Sequence, residues 1–266
     1  MTHDLIKDTI KEYYESCELN KVEELELNKI FDLPLVGIAT VGDELFSNLK
    51  SPELVGKNHL LPQEWLPGAR SVISYFIPFS DEVRLANRKK GLPAKEWLYG
   101  RVKGQQFNEA LSKRIARLCE EHNGTAVIPA VDPSFSLSDG MNSNWSERHV
   151  AYIAGLGTFS LSKSLITEKG SAGRLGSIIT TLEIEPTSRC YQGPYEYCSF
   201  CGECIKRCPS NAIKDVKEQK VAGMDRKICQ NYLNTKIRPR FKPFYGCGKC
   251  QTAVQCEGSN PVEDHL

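Results

Sequence analysis

The chain has 266 residues, of which 40% are hydrophobic and 25% are charged, and its formal net charge at neutral pH is +1. This length and composition suit a folded protein with a sizeable core, arranged as one large domain with an appendage or as two modest domains. The small net charge disfavours a strongly electrostatic partner such as bulk nucleic acid. No apolar run is long enough to span a membrane or resembles a secretory signal, so we expect a cytoplasmic protein.

Helical and strand patterns alternate along the first part of the chain. Apolar residues at helical spacing predict helices over 4–28, 95–121 and 145–154. Short apolar runs predict strands over 35–39, 71–77, 125–131, 165–167 and 175–184. The stretch 132–144 is rich in Ser, Asp, Asn, Gly and Pro and predicts a loop. This alternation indicates an α/β or α+β domain over 1–185, and Pro186 marks the expected start of a second domain, 186–266.

Cysteine is concentrated in the second domain. Nine of the eleven cysteines lie from Cys190 onward. In a chain without a secretory signal, this clustering indicates metal or redox chemistry rather than disulfides. Residues 186–266 contain 13 Lys and Arg against 8 Asp and Glu. Two cubane clusters of roughly −2 each would nearly cancel that excess, and a basic surface for an acidic partner is the alternative.

Four cysteines form the bacterial ferredoxin run Cys198-x2-Cys201-x2-Cys204-x3-Cys208-Pro209. In such a run the first three thiolates bind one [4Fe-4S] cluster and the fourth binds a second cluster. A structural zinc site would instead predict two separated pairs of cysteines. The sequence therefore predicts two [4Fe-4S] clusters and electron transfer in single-electron steps.

The other ligands lie farther along the chain, and one of them must return to the first cluster. The arrangement that we favour has Cys198, Cys201, Cys204 and Cys256 on one cluster, and Cys208, Cys229, Cys247 and Cys250 on the other. Cys190 is an alternative to Cys256 as the fourth ligand of the first cluster. Cys17 and Cys119 lie on apolar helix faces and are interpreted as small buried hydrophobic residues.

Several segments outside the ferredoxin run match the motifs of one family. They are LPGARSVI (66–73), VD (131–132), AGLG (154–157), LGSIITTLEI (175–184) and MDRKICQNYL (224–233). The chain thereby resembles the epoxyqueuosine reductase family, whose members use cobalamin with two [4Fe-4S] clusters and are relatives of the reductive dehalogenases. The resemblance implies an α+β fold, with a nitroreductase-like cobalamin domain followed by a ferredoxin-like domain that holds two [4Fe-4S] clusters. It also implies that Asp132 donates a proton to the substrate and that Gly155, Leu156 and Gly157 lie near the corrinoid.

Each implied role has a simpler structural alternative. Asp132 precedes Pro133 and is equally suited to start a turn. The Gly-Leu-Gly sequence at 155–157 would also serve to end the preceding helix. The histidines His59, His122 and His149 are interpreted as packing or surface residues. Asp139 and Glu147 are lesser candidate acids, because no spacing supports a catalytic role for them.

The chain also departs from the family. The segment 105–108 reads Gln-Gln-Phe-Asn where the family has Arg-Asp-Tyr-His, so no arginine or histidine is available there. Five residues rather than three separate Cys250 from Cys256, and Glu257 stands where the family has proline. The chain ends at Leu266 without the helical repeats that help the family to hold tRNA. These departures argue against tRNA as a substrate.

Two functions from different classes remain open. The first is a cobalamin-dependent iron–sulfur reductase that takes electrons from an external low-potential donor and acts on a small molecule. The second is a ferredoxin-like electron-delivery protein that reduces a corrinoid protein or another partner and holds no cobalamin itself. The altered segment 105–108 favours the second, whereas retention of Asp132 and of the turn at 155–157 favours the first.

Overall fold

A four-stranded antiparallel sheet forms the centre of the computed structural model, which describes residues 1–138, 142–214 and 223–262. The strands, in spatial order, are β1 (Leu35–Thr40), β2 (Ser71–Pro78), β8 (Gly173–Thr180) and β3 (Ala126–Val127). The β2 strand is buried along its whole length, because it has a neighbour on each side and helices over both faces.

Two helices, α1 (His3–Ser16) and α5 (Lys95–Glu121), cover one face of the sheet. Successive side chains of a strand point to opposite faces, so alternate residues of β2 pack beneath these helices. The Tyr75 hydroxyl donates a hydrogen bond to Asn108 Oδ1 at 2.7 Å, and Asn108 Nδ2 donates to the Leu175 carbonyl oxygen at 3.1 Å. These two bonds fix the position of α5 across β2 and β8.

The opposite face is covered by short helices. They are α2 (Glu44–Asn48), α3 (Pro62–Trp65) and α6 (Glu147–Ile153). Trp145, just before α6, is 1% exposed, and its Nε1 donates to Ser177 Oγ on β8 at 2.9 Å. The α4 helix (Asp81–Asn87) follows β2 and connects it to α5.

The remaining elements are short. The small hairpins pair β4 (Leu137–Ser138) with β5 (Asn142–Ser143) and β6 (Thr158–Phe159) with β7 (Leu165–Ile166). The cysteine-rich part contains α7 (Glu203–Arg207), α8 (Arg226–Tyr232) and α9 (Arg238–Phe241), and a π-helical turn over Leu233–Ile237 joins the last two. A separate apolar cluster that includes Leu161, Ala212 and Val254 packs around the cysteines. The cysteine-rich part therefore has its own small core.

Most predicted elements are present, with shifted ends. The helix predicted over 4–28 stops at Ser16, because Cys17 is extended and two 3-10 turns follow. The strand predicted over 125–131 shrinks to Ala126–Val127, since Pro129 lacks a backbone donor and starts a 3-10 turn. The predicted loop 132–144 contains the β4–β5 hairpin. Within the described ranges, no helix combines the length and the apolar character needed to cross a membrane.

Candidate functional site

The four cysteines predicted to bind the first cluster line one small cavity together. Cys198, Cys201 and Cys204 lie on the loop that leads into α7 and in its first turn. This loop turns tightly because Phe200 and Gly202 both have positive φ angles, of 51° and 74°. Cys256 arrives from the far end of the chain, where its carbonyl oxygen accepts a hydrogen bond from Ser171 N at 2.8 Å.

The four cysteines predicted to bind the second cluster line a different and larger cavity. Cys208 follows the last residue of α7, and Cys229 lies in the middle of α8. Cys247 lies two residues before the 3-10 turn Lys249–Gln251, and Cys250 lies within that turn. The Ala212 amide donates to Cys208 Sγ at 3.3 Å. Hydrogen bonds to a ligating sulfur tune the reduction potential of a cluster. The two sets are called the first and second cysteine sets below.

Burial makes these thiols hard to ionise without metal. Burial, with a smaller contribution from neighbouring cysteines, raises the pKa of Cys204 and of Cys256 to about 12 and that of Cys247 to about 11. Metal binding must therefore displace the thiol protons. Within the described part of the chain, no three His, Cys, Asp or Glu side chains converge on a single ion. Cubane ligands each bind a different iron atom, and two cavities each lined by four thiols fit two cubanes.

The other cysteines lie outside these two cavities. Cys190, the alternative ligand, is exposed and is not among the described residues that line either cavity. Cys119 is fully buried on α5, as its apolar helix face predicts. Cys17 is half-buried just after α1, and its thiol lies 3.1 Å from the Tyr13 hydroxyl.

The larger cavity, called the large cavity below, has a volume of about 450 Å³. It lies where β2 ends and β8 begins, between the first turns of α5 and α6 and the second cysteine set. Its apolar walls include Phe76, Phe79, Leu165 and Leu175, and its charged walls include Arg101, Glu147, Arg148 and Arg174. A volume of this size is that of a small-molecule binding site.

Three polar groups in the walls of the large cavity are buried without a hydrogen-bond partner among the described residues. They are Trp97 Nε1, Arg174 Nε and both carboxyl oxygens of Glu147. Buried polar groups are nearly always paired, so unpaired ones concentrated around a cavity indicate a ligand or bound water. Arg174 also donates from Nη2 to Gln105 Oε1. An arginine therefore reaches the segment 105–108 from β8, which the sequence alone did not predict.

Two charged side chains of the cysteine-rich part contact the chain at the end of α4. Lys249 is 2% exposed, and its Nζ donates to Asn87 O at 2.9 Å and to Lys89 O at 2.7 Å. Glu257 is 4% exposed and forms an ion pair with Arg88 Nε at 3.0 Å. Glu257 also accepts from Ala253 N at 2.6 Å. The glutamate that replaces the family's proline therefore has a structural role here.

The structure does not bring Asp132 to either cysteine set. Asp132 lines a third cavity with Lys113, Arg117 and Glu120 beside α5. Its Oδ1 accepts a hydrogen bond from Ser134 N at 2.8 Å, which is the Asp-Pro turn given above as the alternative. Asp139, the neighbouring candidate acid, lies outside the described residues.

The turn at 155–157 is packed against protein. Gly155 has a φ angle of +83°, and at Gly157 a Cβ would lie 1.8 Å from the Ile166 carbonyl oxygen. Leu156 is 8% exposed within an apolar cluster. This geometry agrees with the alternative role as a helix end, and these residues do not line the large cavity.

His149 lines a further cavity of about 320 Å³ with Tyr152 and Phe159. Burial, helped by the nearby Arg148, lowers the pKa of His149 to about 3. Its ring lies 4.9 Å from the Phe159 ring between centroids, and Nδ1 lies 2.7 Å from Ser146 Oγ. His149 is therefore a neutral packing residue, as the sequence indicates.

Comparison with known proteins adds family relationships to this geometry. A family model described as a 4Fe-4S binding domain matches residues 194–214, which contain the ferredoxin run. The epoxyqueuosine reductase of Bacillus cereus is 26% identical over 229 residues, which cover 82% of this chain and 55% of that protein. The chain is a homologue of the epoxyqueuosine reductases. This homologue spans little more than half the length of the curated relative.

The relationship extends to the reductive dehalogenases. The tetrachloroethene reductive dehalogenase of Desulfitobacterium hafniense is 37% identical over 73 residues, which cover 27% of this chain and 13% of that protein. A solved B12-dependent reductive dehalogenase matches 86% of this chain and 30% of its own chain, with a TM-score of 0.56 and 16% identity. The homologue therefore shares its mixed helix and sheet fold with both groups of enzymes.

The expectation that tRNA is an unlikely substrate is not borne out. A solved epoxyqueuosine reductase with an epoxyqueuosine-modified tRNA stem loop matches 98% of this chain and 70% of its own chain. Its TM-score is 0.54 and its identity is 19%. Relatives of this homologue therefore include a tRNA-bound enzyme, and the departures seen in the sequence do not remove tRNA from consideration.

Proposed function

We propose that this chain is an iron–sulfur oxidoreductase that passes low-potential electrons through two [4Fe-4S] clusters to a corrinoid bound at the large cavity, where a small molecule is reduced. The first cysteine set would hold one cluster and the second set the other. The observation that supports this proposal is that the second cysteine set borders a cavity with unpaired buried polar groups. The homology to epoxyqueuosine reductases supports it as well.

The large cavity suits part of a corrinoid. This macrocycle carries amide side chains, whose carbonyl oxygens would accept hydrogen bonds from Trp97 Nε1 and Arg174 Nε. A volume of about 450 Å³ is smaller than a complete cobalamin, so the described residues would enclose only a portion of it. When bound, the corrinoid supplies a reducible cobalt centre, and the chain binds, orients and shields that centre.

Metal analysis of cysteine variants tests the ligand sets. We expect anaerobically purified protein to hold about eight irons per chain, and Cys256→Ser or Cys229→Ser to lose about half of them, because each removes one ligand of a different cluster. Cys190→Ser is the matched control, since Cys190 is exposed, and it should keep the full iron content. Loss of iron from Cys190→Ser with retention in Cys256→Ser would reverse their assignment.

Cobalt retention tests the corrinoid. After incubation with cobalamin and desalting, retained cobalt with a change in visible absorbance is the expected result. Iron without cobalt would favour the electron-delivery function instead, and the packed turn at 155–157, which offers no cradle for a cofactor, is the observation on its side. Reduction of an epoxyqueuosine-modified tRNA stem loop and of an organohalide would then be compared as probe reactions.

The role of Asp132 as proton donor stays a prediction. It requires the loop of Asp132 to approach the bound substrate, because Asp132 lines a different cavity from the cysteines. Asp132→Asn is expected to abolish turnover of the probe substrate while iron and cobalt contents stay unchanged. Unaltered turnover would remove Asp132 from the mechanism. The exposed Glu120, which lines the same cavity, provides the control variant Glu120→Gln.

A further inference from the structure

Glu147 carries a buried carboxyl group that the proposed reaction does not yet use. It is the first residue of α6 and belongs to the wall of the large cavity. Both of its carboxyl oxygens are buried, and neither has a hydrogen-bond partner among the described residues. The hydroxyl of nearby Ser177 accepts from Trp145 Nε1 and can still turn its own proton toward Glu147, which offsets the effect of burial only in part. A buried carboxylate with so little compensation is costly, so the protonated form of Glu147 is favoured.

Among the ionisable groups around Glu147 whose pKa is shifted, Glu147 is the one with a pKa near neutrality. Burial raises the pKa of Glu147 to about 7, and Ser177 opposes this only in part. On β2, burial raises the pKa of Tyr75 well above its usual value, and the Glu147 charge raises it further. The other charged groups are Arg148 on α6, Arg174 on β8, and Arg101 and Glu109 on α5. Burial lowers the pKa of Arg148 to about 10, which leaves it cationic.

We propose that Glu147 is a redox-linked proton site, which takes up a proton from solvent when an electron reaches the cluster held by the second cysteine set. The inference rests on the proposed function in so far as that cluster must be present. An added negative charge across a low-dielectric cavity favours the neutral form of a carboxyl group. Arrival of one electron from a one-electron donor would thus be balanced by one proton on Glu147.

The same site defines the class of acceptor. The small molecule that is reduced beside the corrinoid would receive an electron together with the Glu147 proton, so that a neutral organic acceptor becomes its neutral, hydrogenated radical and Glu147 returns to carboxylate. Such an acceptor must become more basic than a carboxylate when reduced. A second electron and a second proton would follow by the same route in a two-electron reduction. The charge in the cavity is then unchanged after each cycle.

A redox titration followed by electron paramagnetic resonance tests this proposal. The cluster-loaded protein is reduced with dithionite through viologen mediators at several values between about pH 6 and pH 8. Because reduction favours protonation of Glu147, the midpoint potential of one cluster should fall as the pH rises. Glu147→Gln cannot exchange the proton and should remove the pH dependence. Glu109→Gln, which neutralises a nearby α5 carboxylate that bonds to Gln105, should keep it.

If the protein has assembled its clusters, either of two results would overturn the proposal. One is a midpoint potential that does not change with pH in the natural protein, and the other is an unchanged dependence in Glu147→Gln. If Glu147→Gln fails to assemble clusters, an infrared difference spectrum of the natural protein labelled with carbon-13 glutamate decides. A carboxyl band that appears on reduction and shifts with the label is expected, and its absence contradicts the proposal. Protein without iron and sulfide would instead overturn the proposed function itself.

Discussion

Trp97 and Gly248 pack tightly against each other beside the second cysteine set. Gly248 has a φ angle of +66°, and a Cβ at this position would lie 2.0 Å from two carbons of the Trp97 ring. Only glycine allows the chain between Cys247 and Lys249 to approach the indole so closely. The unpaired Trp97 Nε1 is thereby held in the wall of the large cavity.

Gly248→Ala should therefore disrupt the second cysteine set. Two destabilising effects combine in this variant. A side chain at a positive φ angle costs about 1–2 kcal/mol, and the added methyl group would collide with the Trp97 ring. Gly91→Ala separates them, because Gly91 has a φ angle of +89° and no atom within 4 Å of the added Cβ. We expect Gly248→Ala to lose about half of its iron and Gly91→Ala to retain it, as measured by iron and sulfide analysis. Full iron content in Gly248→Ala would contradict this account.

At the scale of elements, α4 is tied to the second cysteine set through one buried lysine. The three protons of the Lys249 ammonium group serve Asn87 O, Asn87 Oδ1 and Lys89 O at the end of α4. Carbonyl groups at a helix C-terminus carry partial negative charge, which favours a cation there. Burial lowers the pKa of Lys249, while the Cys247 thiolate opposes this change. The lysine thus links α4 to the charge of the second set.

Lys249→Met should lower the free energy of unfolding by about 1–3 kcal/mol, because it removes three hydrogen bonds from a buried ammonium group. Asn87 keeps Ala94 N and Thr252 Oγ1 as donors, whereas Lys89 O loses the Lys249 donor. The exposed Lys206 on α7 is the matched control, and Lys206→Met should change the free energy of unfolding by less than about 0.5 kcal/mol. Chemical denaturation of both variants and of the natural protein gives the comparison. Equal stability of Lys249→Met and the natural protein would show that the buried contacts contribute nothing.

The sequence predicts elements well where the signal is local. The helix Lys95–Glu121 is long and periodic, and Asn123, two residues after its end, adopts a positive φ angle. The ferredoxin run is equally local, since its spacing alone defines the ligands. By contrast, the strand expected over 175–184 lies at Gly173–Thr180, because pairing with β2 sets its ends. Tertiary contacts override local preference at such ends.

The polar groups of the large cavity could not be predicted in this way. Glu147 is one of many acidic residues at a helix start, and only its burial against Ser177 distinguishes it. Arg174 lies in a strand far along the chain from Gln105, which it contacts. Trp97 reads as an ordinary core residue. The position of Lys249 between Cys247 and Cys250 indicates only a charge close to the second cysteine set, and it does not predict the contacts with α4. Each depends on contacts between distant segments, which spacing along the chain does not encode.

At the scale of the whole molecule, the cysteine-rich part returns to the sheet instead of standing apart from it. Ser171 N donates to Cys256 O at 2.8 Å, and Arg207 Nη1 donates to Arg88 O at 2.9 Å. The large cavity has β2 and β8 on one side and the second cysteine set on the other. Neither part encloses this cavity alone, so the proposed electron delivery and ligand binding would share one structure.

The hydrogen bond between Ser171 and Cys256 has a consequence for the response of the protein to oxygen. The Ser171 segment leads directly into β8, so Cys256, a proposed cluster ligand, is hydrogen-bonded to the segment that continues into the cavity wall. Oxygen that destroys the cluster would free this segment and loosen the wall with it. Oxidative damage should accordingly remove redox activity and ligand affinity along one time course, and restoring iron should return both together.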